Sequence, residues 1–138
     1  MTDERSFNER IIAEFRAGEG EVGGPFEGRS LLLLHHVGAL SGTARVNPVE
    51  YLAVGDSYAI FGSNDGSEHN PRWYYNVLAN PNLTIEVGTS TIAVAAREVS
   101  GPERMQIWAR QKELRPIFAE YEEGTSRQIP VLVLDPAV

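Results

Sequence analysis

The sequence predicts a mainly β fold (α+β): a small antiparallel barrel or sandwich with helices packed around it. Three observations carry this. Six segments have strand character, and the turns between the first three are too short for the crossover a parallel pair needs. The strand–helix alternation of a dinucleotide-binding sheet is missing, and neither a G-x-G-x-x-G nor a Walker A sequence occurs. A chain of 138 residues is also of single-domain length, and buries about 68% of its unfolded surface without help from disulfides or a metal.

The elements follow in order. Phe7, Ile11 and Phe15 recur at i, i+4 and i+8 with Ile12 beside them, which predicts an amphipathic helix within residues 1–17. Ser6 and Glu9 have the spacing of a capping box. The stripe suits packing on a core, and it is too short to favour a membrane surface or a partner instead. Residues 18–28 hold five glycines and Pro25, so they form an extended connector, where backbone could also lie close to a ligand. Residues 18–138 are then expected to form one domain.

Residues 30–37, 44–54 and 57–62 read as three strands of an antiparallel meander, with turns at Gly38–Gly42 and Gly55-Asp56. Pro48 interrupts the second, so that position is a bulge or an edge. Residues 63–70 are a polar loop. Pro71 starts a short helix that ends before Asn80-Pro81. Residues 83–87 and 91–99 form a hairpin. Ser100 and Glu103 repeat the capping-box spacing and open a helix to about Leu114. Pro116 breaks it, a short helical piece runs to Glu122, and residues 129–134 are the last strand.

Composition excludes several function classes. There is no cysteine, so disulfides, thiolate chemistry and cysteine-ligated metals are ruled out. A net charge of −7 argues against general nucleic-acid binding. The longest apolar run is Leu31-Leu32-Leu33-Leu34, far below the ~18 residues of a membrane span. The N-terminal residues lack a signal-peptide core. A soluble, cytoplasmic protein is expected.

Few side chains point to chemistry on their own. His35 and His36 are adjacent in a strand, so they face opposite sides and do not share a metal. Asp65, Glu68 and His69 form a loop cluster that is a weak cation candidate. No G-x-S-x-G elbow suggests a hydrolase. The turn with Ser41 and Gly42 could present backbone N–H groups to an anion, with Arg45 adding a guanidinium; it also reads as an ordinary hairpin turn. Asn70-Pro71-Arg72-Trp73-Tyr74-Tyr75-Asn76 gathers planar side chains and amides on one helix, as a flat heterocycle would want. Trp73 could equally be a core plug.

Together these pieces resemble one family. The marks are Gly20-Glu21-Val22-Gly23-Gly24, Gly38…Ser41-Gly42, Arg45-Val46-Asn47-Pro48, Asn70–Asn76 with Ala79-Asn80-Pro81, Tyr121, and Thr125-Ser126-Arg127-Gln128-Ile129-Pro130-Val131. In this order the chain, from about Asn8 to Asp135, is similar to the deazaflavin (coenzyme F-420)-dependent nitroreductases and quinone reductases of actinobacteria. The resemblance implies a split β-barrel of about six antiparallel strands, like those of flavin-binding oxidases and reductases. It implies reduced coenzyme F-420 as hydride donor and a quinone or nitroaromatic as acceptor. It would place the cofactor's phosphate end at Ala39, Leu40, Ser41 and Gly42 and along Arg45, Val46, Asn47, Pro48, Val49 and Glu50. Phe61, Gly62, Ser63 and Asn64 would lie against the cofactor, and Arg72, Trp73, Tyr74, Tyr75 and Asn76 would hold its ring and tail. Phe118 and Tyr121 would line the acceptor side, with Ser63 or Tyr121 as catalytic hydrogen-bond donor.

The chain departs from that pattern at Ala39 and Leu40, where the family turn usually carries Arg-Lys, and at Asn64, where it often carries Lys. Two or three charge-assisted contacts are lost, each worth ~1.5–3 kcal/mol, so cofactor binding is expected to be weaker. Arg115 and Phe118 stand where a nitro-reducing member has tyrosines, so quinones are the more expected acceptors. Three other readings compete: a non-catalytic deazaflavin, flavin or heme binding module of the same barrel, a flavin mononucleotide oxidase, and a purely structural interaction domain with Arg72–Asn76 as an interface patch. Membrane contact is weakly supported, because the N-terminal helix is rich in acids.

Overall fold

The computed structural model describes residues 4–137. Six strands close into an antiparallel barrel in the order β1 (Leu31–Val37), β2 (Ala44–Val54), β3 (Ser57–Phe61), β6 (Val131–Pro136), β5 (Ser90–Glu98), β4 (Asn82–Val87), with β4 pairing back onto β1. The barrel alternative therefore holds over the sandwich. Four helices surround it: α1 (Glu4–Ala17), α2 (Arg72–Ala79), α3 (Gly101–Leu114) and α4 (Ile117–Glu123).

The barrel has one core inside and two outside. Leu32, Leu34, Ile60, Ile85, Val94, Leu132 and Leu134 fill the interior, and Trp73 and Val77 of α2 join them. On the outer face of β3 and β6, Ala59, Phe61, Val131 and Val133 pack under Ile107 and Trp108 of α3 and Phe118 of α4. On the outer face of β1, Leu31 and Leu33 pack under Ile11 and Phe15 of α1. Both faces of β1 and β6 are covered, which explains why Leu31–Leu34 and Val131–Leu134 read as unbroken apolar runs. The stripe on α1 thus packs on the chain's own barrel.

Pro48 lies at an edge without a bulge. The β1–β2 register is continuous from Leu31↔Glu50 to Val37↔Ala44. Tyr51 N–H donates to Ser30 O; this makes the odd positions of β2 the ones bonded to β1. Pro48 is even, so its nitrogen faces away from β1. On that side β3 pairs only with Tyr51–Val54, and residues 44–50 have no second neighbour.

Two expectations about helix starts are corrected. Helix α1 starts at Glu4, so Ser6 lies inside it and does not cap it. Ser100 is the N-cap of α3, but its side chain makes no capping bond; Glu103 is drawn away by Arg97, 2.9 Å from its Oε1. The connector's Gly20 (φ +100°) lets backbone approach backbone: a Cβ there would sit 2.7 Å from Gly88 Cα in the β4–β5 turn. No helix among the described residues is long and apolar enough to cross a membrane.

Leu34→Ala is expected to cost about 2–5 kcal/mol, because the rigid ladder around it cannot collapse into the cavity. Leu40→Ser, at a fully exposed position, should stay within about 0.5 kcal/mol. Urea unfolding midpoints check both.

Candidate functional site

The unpaired half of β2 borders one end of the barrel. Around it gather the turn after β1, the loop 62–70 after β3, and the N-terminal part of α2. Side-chain bonds hold these pieces together, because no ladder reaches them.

The first tie runs through His36. Its ring is buried (4% exposed) inside the barrel end, while His35 points outward to Glu86, with Nε2 2.6 Å from the carboxylate. His36 Nε2 lies 2.7 Å from Asn47 Oδ1 on β2, and Nδ1 lies 3.1 Å from Asn76 Nδ2 on α2. Asn76 Oδ1 accepts from Ala39 N–H at 2.9 Å. One chain of bonds thus links β1, β2, α2 and the turn. With its oxygen given to Ala39, Asn76 offers its NH2 to Nδ1, an arrangement that fits the neutral Nε2–H tautomer of His36. Burial is the main cause that lowers its pKa, and Arg45 and His35 add to it.

The second tie is Arg127, between α4 and β6. Its Nε donates to Ser67 O at 2.9 Å and Nη1 to Asn70 Oδ1 at 2.6 Å. Nη2 reaches Gly62 O, Ser63 O and His69 O at 3.1–3.2 Å. A single guanidinium therefore satisfies most of the loop's inward carbonyls. Glu68 accepts from both Ser126 N and Oγ, which hold its carboxyl below the usual range. Glu68 is thus committed to the chain, and among the described residues no three His, Asp or Glu side chains gather for a metal.

At the turn, Gly38 N–H donates to Thr43 O, Gly42 N–H to Gly38 O, and Thr43 N–H to Ser41 Oγ. The N–H groups of Leu40 and Ser41 have no partner among the described residues, and both residues are exposed. Arg45 and Arg72 are exposed and form no ion pair among the described residues. Glu50, by contrast, is neutralised: Arg115 Nε at 3.0 Å and Gln111 Nε2 at 3.1 Å both donate to its Oε2.

On α4, Tyr121 is half-buried beside the 3-10 turn Asn64–Gly66. Gly66 (φ +82°) allows this approach, since a Cβ would stand 3.2 Å from Tyr121 Cα. Burial raises the Tyr121 pKa, and the Asp65 carboxylate pushes the same way, so the phenol keeps its proton at neutral pH.

The other expected site residues divide. Ser41, Gly42, Arg45, Ser63, Asn64 and Arg72 have surface to offer, as has Tyr75, whose hydroxyl meets Asn70 Nδ2 at 3.3 Å. Val46, Asn47, Pro48 and Val49 lie along the open edge. Asn64 Nδ2 is tied to His69 O, and Tyr74 donates to Glu98 at 2.7 Å. Two of the expected aromatics are largely buried. Trp73 (8% exposed) is a core plug, because its face of α2 turns into the barrel. Phe118 (5% exposed) is enclosed by Phe61, Trp108 and Tyr121 at 5.2–6.2 Å between centroids, so it backs Tyr121 and does not itself line an open surface. Phe61 and Gly62 are buried as well.

Residues 8–136 match the family described as F420H(2)-dependent quinone reductase. The chain belongs to that family. It is an oxidoreductase whose cofactor is the reduced deazaflavin, coenzyme F-420. It is 35% identical over 126 residues to an F420H(2)-dependent quinone reductase of Mycobacterium tuberculosis, covering 88% of this chain and 85% of that one. A solved F420-H2 dependent reductase superposes with a TM-score of 0.71 at 35% identity, covering 78% of this chain and 95% of the other. The heme storage protein from Vibrio cholerae, at 20% identity and a TM-score of 0.60 over 94% of this chain and 90% of its own, shares the fold.

The sequence marked Arg127 as part of a motif but assigned it no role. For His36 the strand alternation says only that it and His35 face opposite sides. Arg127 and His36 act through partners more than ten residues away, which local spacing does not show. Arg127→Ala is expected to speed amide hydrogen exchange in residues 62–70 and to cost about 1–3 kcal/mol through the carbonyls left unpaired. Exchange mass spectrometry with urea unfolding tests this.

Proposed function

We propose that the chain transfers reducing equivalents from coenzyme F-420 to a quinone, with the cofactor along the open edge of β2. Such an anionic group finds support here: among the described residues the Leu40 and Ser41 N–H groups have no partner, and two guanidiniums, Arg45 and Arg72, form no ion pair. Arg45, Arg72 and the 38–42 turn would hold the charged tail. Val46 to Val49, Ser63, Asn64 and Tyr75 would border the ring. Bound and reduced, the cofactor supplies a hydride.

The observation that carries the choice of acceptor is the single protonated phenol on α4. A quinone needs one donor at the oxygen where charge develops, and Tyr121 Oη can hydrogen-bond there. A nitro group takes up further protons as N–O bonds break. Arg115 answers Glu50 and Phe118 is enclosed, so neither offers a proton to it. Phe118 and the 3-10 turn with Gly66 hold Tyr121 in place, and the Ser63 hydroxyl, at the start of that turn, would be a second donor.

The test begins with fluorescence titration of the purified protein by oxidised coenzyme F-420. Oxidation of the reduced form is then followed with a soluble menaquinone analogue and with a nitroaromatic. Quinone-dependent oxidation exceeding the nitroaromatic rate is the expected result. Binding with no turnover of either acceptor overturns the enzyme reading in favour of a binding module, and absence of binding overturns the site.

Two variants refine the assignment. Tyr121→Phe should lower quinone kcat/KM by about 10²-fold or somewhat less, with the cofactor Kd unchanged. Arg45→Ala should raise the cofactor Kd about tenfold, an effect that shrinks as salt rises.

A further inference from the structure

The His36 bond chain has a property beyond holding the fold together. Asn76 has one amide oxygen, and Ala39 N–H uses it. The amide can give that oxygen away only because its NH2 has an acceptor in the lone pair on His36 Nδ1. A proton on Nδ1 removes the lone pair and places two donors face to face. If the Asn76 amide then turns over to offer its oxygen to the imidazolium, its NH2 faces Ala39 N–H instead. Either orientation leaves one donor without an acceptor, so the Asn76 side chain cannot serve both the charged ring and the turn. Asn47 does not relieve this, since its Oδ1 accepts from Nε2–H in both charge states.

We propose that His36 is a positioning residue for the 38–42 turn: its neutral imidazole sets Asn76 to hold the Ala39 N–H, and protonation of the ring releases the turn. This rests on the reading that the turn takes the anionic end of the cofactor. The turn has lost both side-chain charges that the family resemblance would put there, at Ala39 and Leu40, so its backbone geometry carries more of the recognition.

The groups that act on the ring are few. Arg45 on β2 and His35 on β1 both disfavour a second positive charge. Glu86 on β4 is engaged by His35 and by Arg16 of α1, at 2.6 and 2.7 Å. From α2 the ring meets the neutral amide of Asn76. Burial is the main cause that holds the folded-state value below the ordinary 6.5; the Asn47 bond opposes it by favouring the charged ring, and Arg45 and His35 add to it. The sign follows: the neutral, ordered turn is fully present above 6.5, and is lost as pH falls through the lower folded-state value.

Nitrogen NMR of histidine-labelled, cofactor-free protein tests the device directly. The expected spectrum shows the Nε2–H tautomer of His36 at neutral pH, and the Ala39 amide shift follows the His36 titration on acidification. An Nδ1–H tautomer, or an Ala39 amide that ignores the titration, overturns the proposal. The second measurement is the cofactor Kd from about pH 8 to about pH 5 for the wild type and His36→Gln. The wild type should lose about three- to tenfold in affinity across the His36 titration, beyond any drift shared with the variant. His36→Gln, which can pair with Asn47 but does not titrate, should bind more weakly at pH 8 and lack that step. Parallel profiles overturn the coupling to binding. If the NMR linkage is present but the cofactor binds at no pH, the cofactor site is wrong and the His36 device stands.

Discussion

A barrel of six strands leaves part of one strand without a second neighbour, and the rest of this molecule answers that constraint. The first seven residues of β2 pair with β1 alone, because β3 is short and reaches only the far end of β2. Their outward N–H and C=O groups, and the loops that flank them, lie beyond the reach of the ladder. Pro48 blunts this edge by removing a donor on the open side.

What the ladder does not hold, side chains hold. His36, Asn47 and Asn76 join two strands, a helix and a turn through three bonds of 2.7–3.1 Å. Arg127 gathers the carbonyls of the next loop. Both devices border the open edge of β2. A site built on hydrogen-bonded side chains is adjustable by single residues, whereas the interior of Leu32, Leu34, Ile60 and Leu134 is shared by close packing and tolerates little.

The electrostatics agree with this division. Glu50, the acid at the end of the open edge, is answered by Arg115 and Gln111, and Glu68 by Ser126. Arg45 and Arg72 form no ion pair among the described residues. A chain with a net charge of −7 therefore keeps two exposed guanidiniums, Arg45 on the open edge and Arg72 at the start of α2, which suits an anionic ligand better than net charge suggests.

The sequence by itself determined the elements and their pairing sense. Period-two patterning, turn residues at 38–42 and 55–56, and prolines at 71 and 116 are local signals, and the short connections leave only antiparallel neighbours. The family was legible too, because its motifs keep their order along the chain. Only the tertiary structure decided closure, since the β1–β4 and β5–β6 pairings join segments far apart in sequence. It decided that Trp73 and Phe118 belong to cores, because burial depends on what packs opposite. It decided that Ser100 does not cap with Glu103, since Arg97 competes for the carboxylate. And it gave His36 and Arg127 their roles, because a hydrogen bond is set by distance in space, and their partners lie on other elements of the fold.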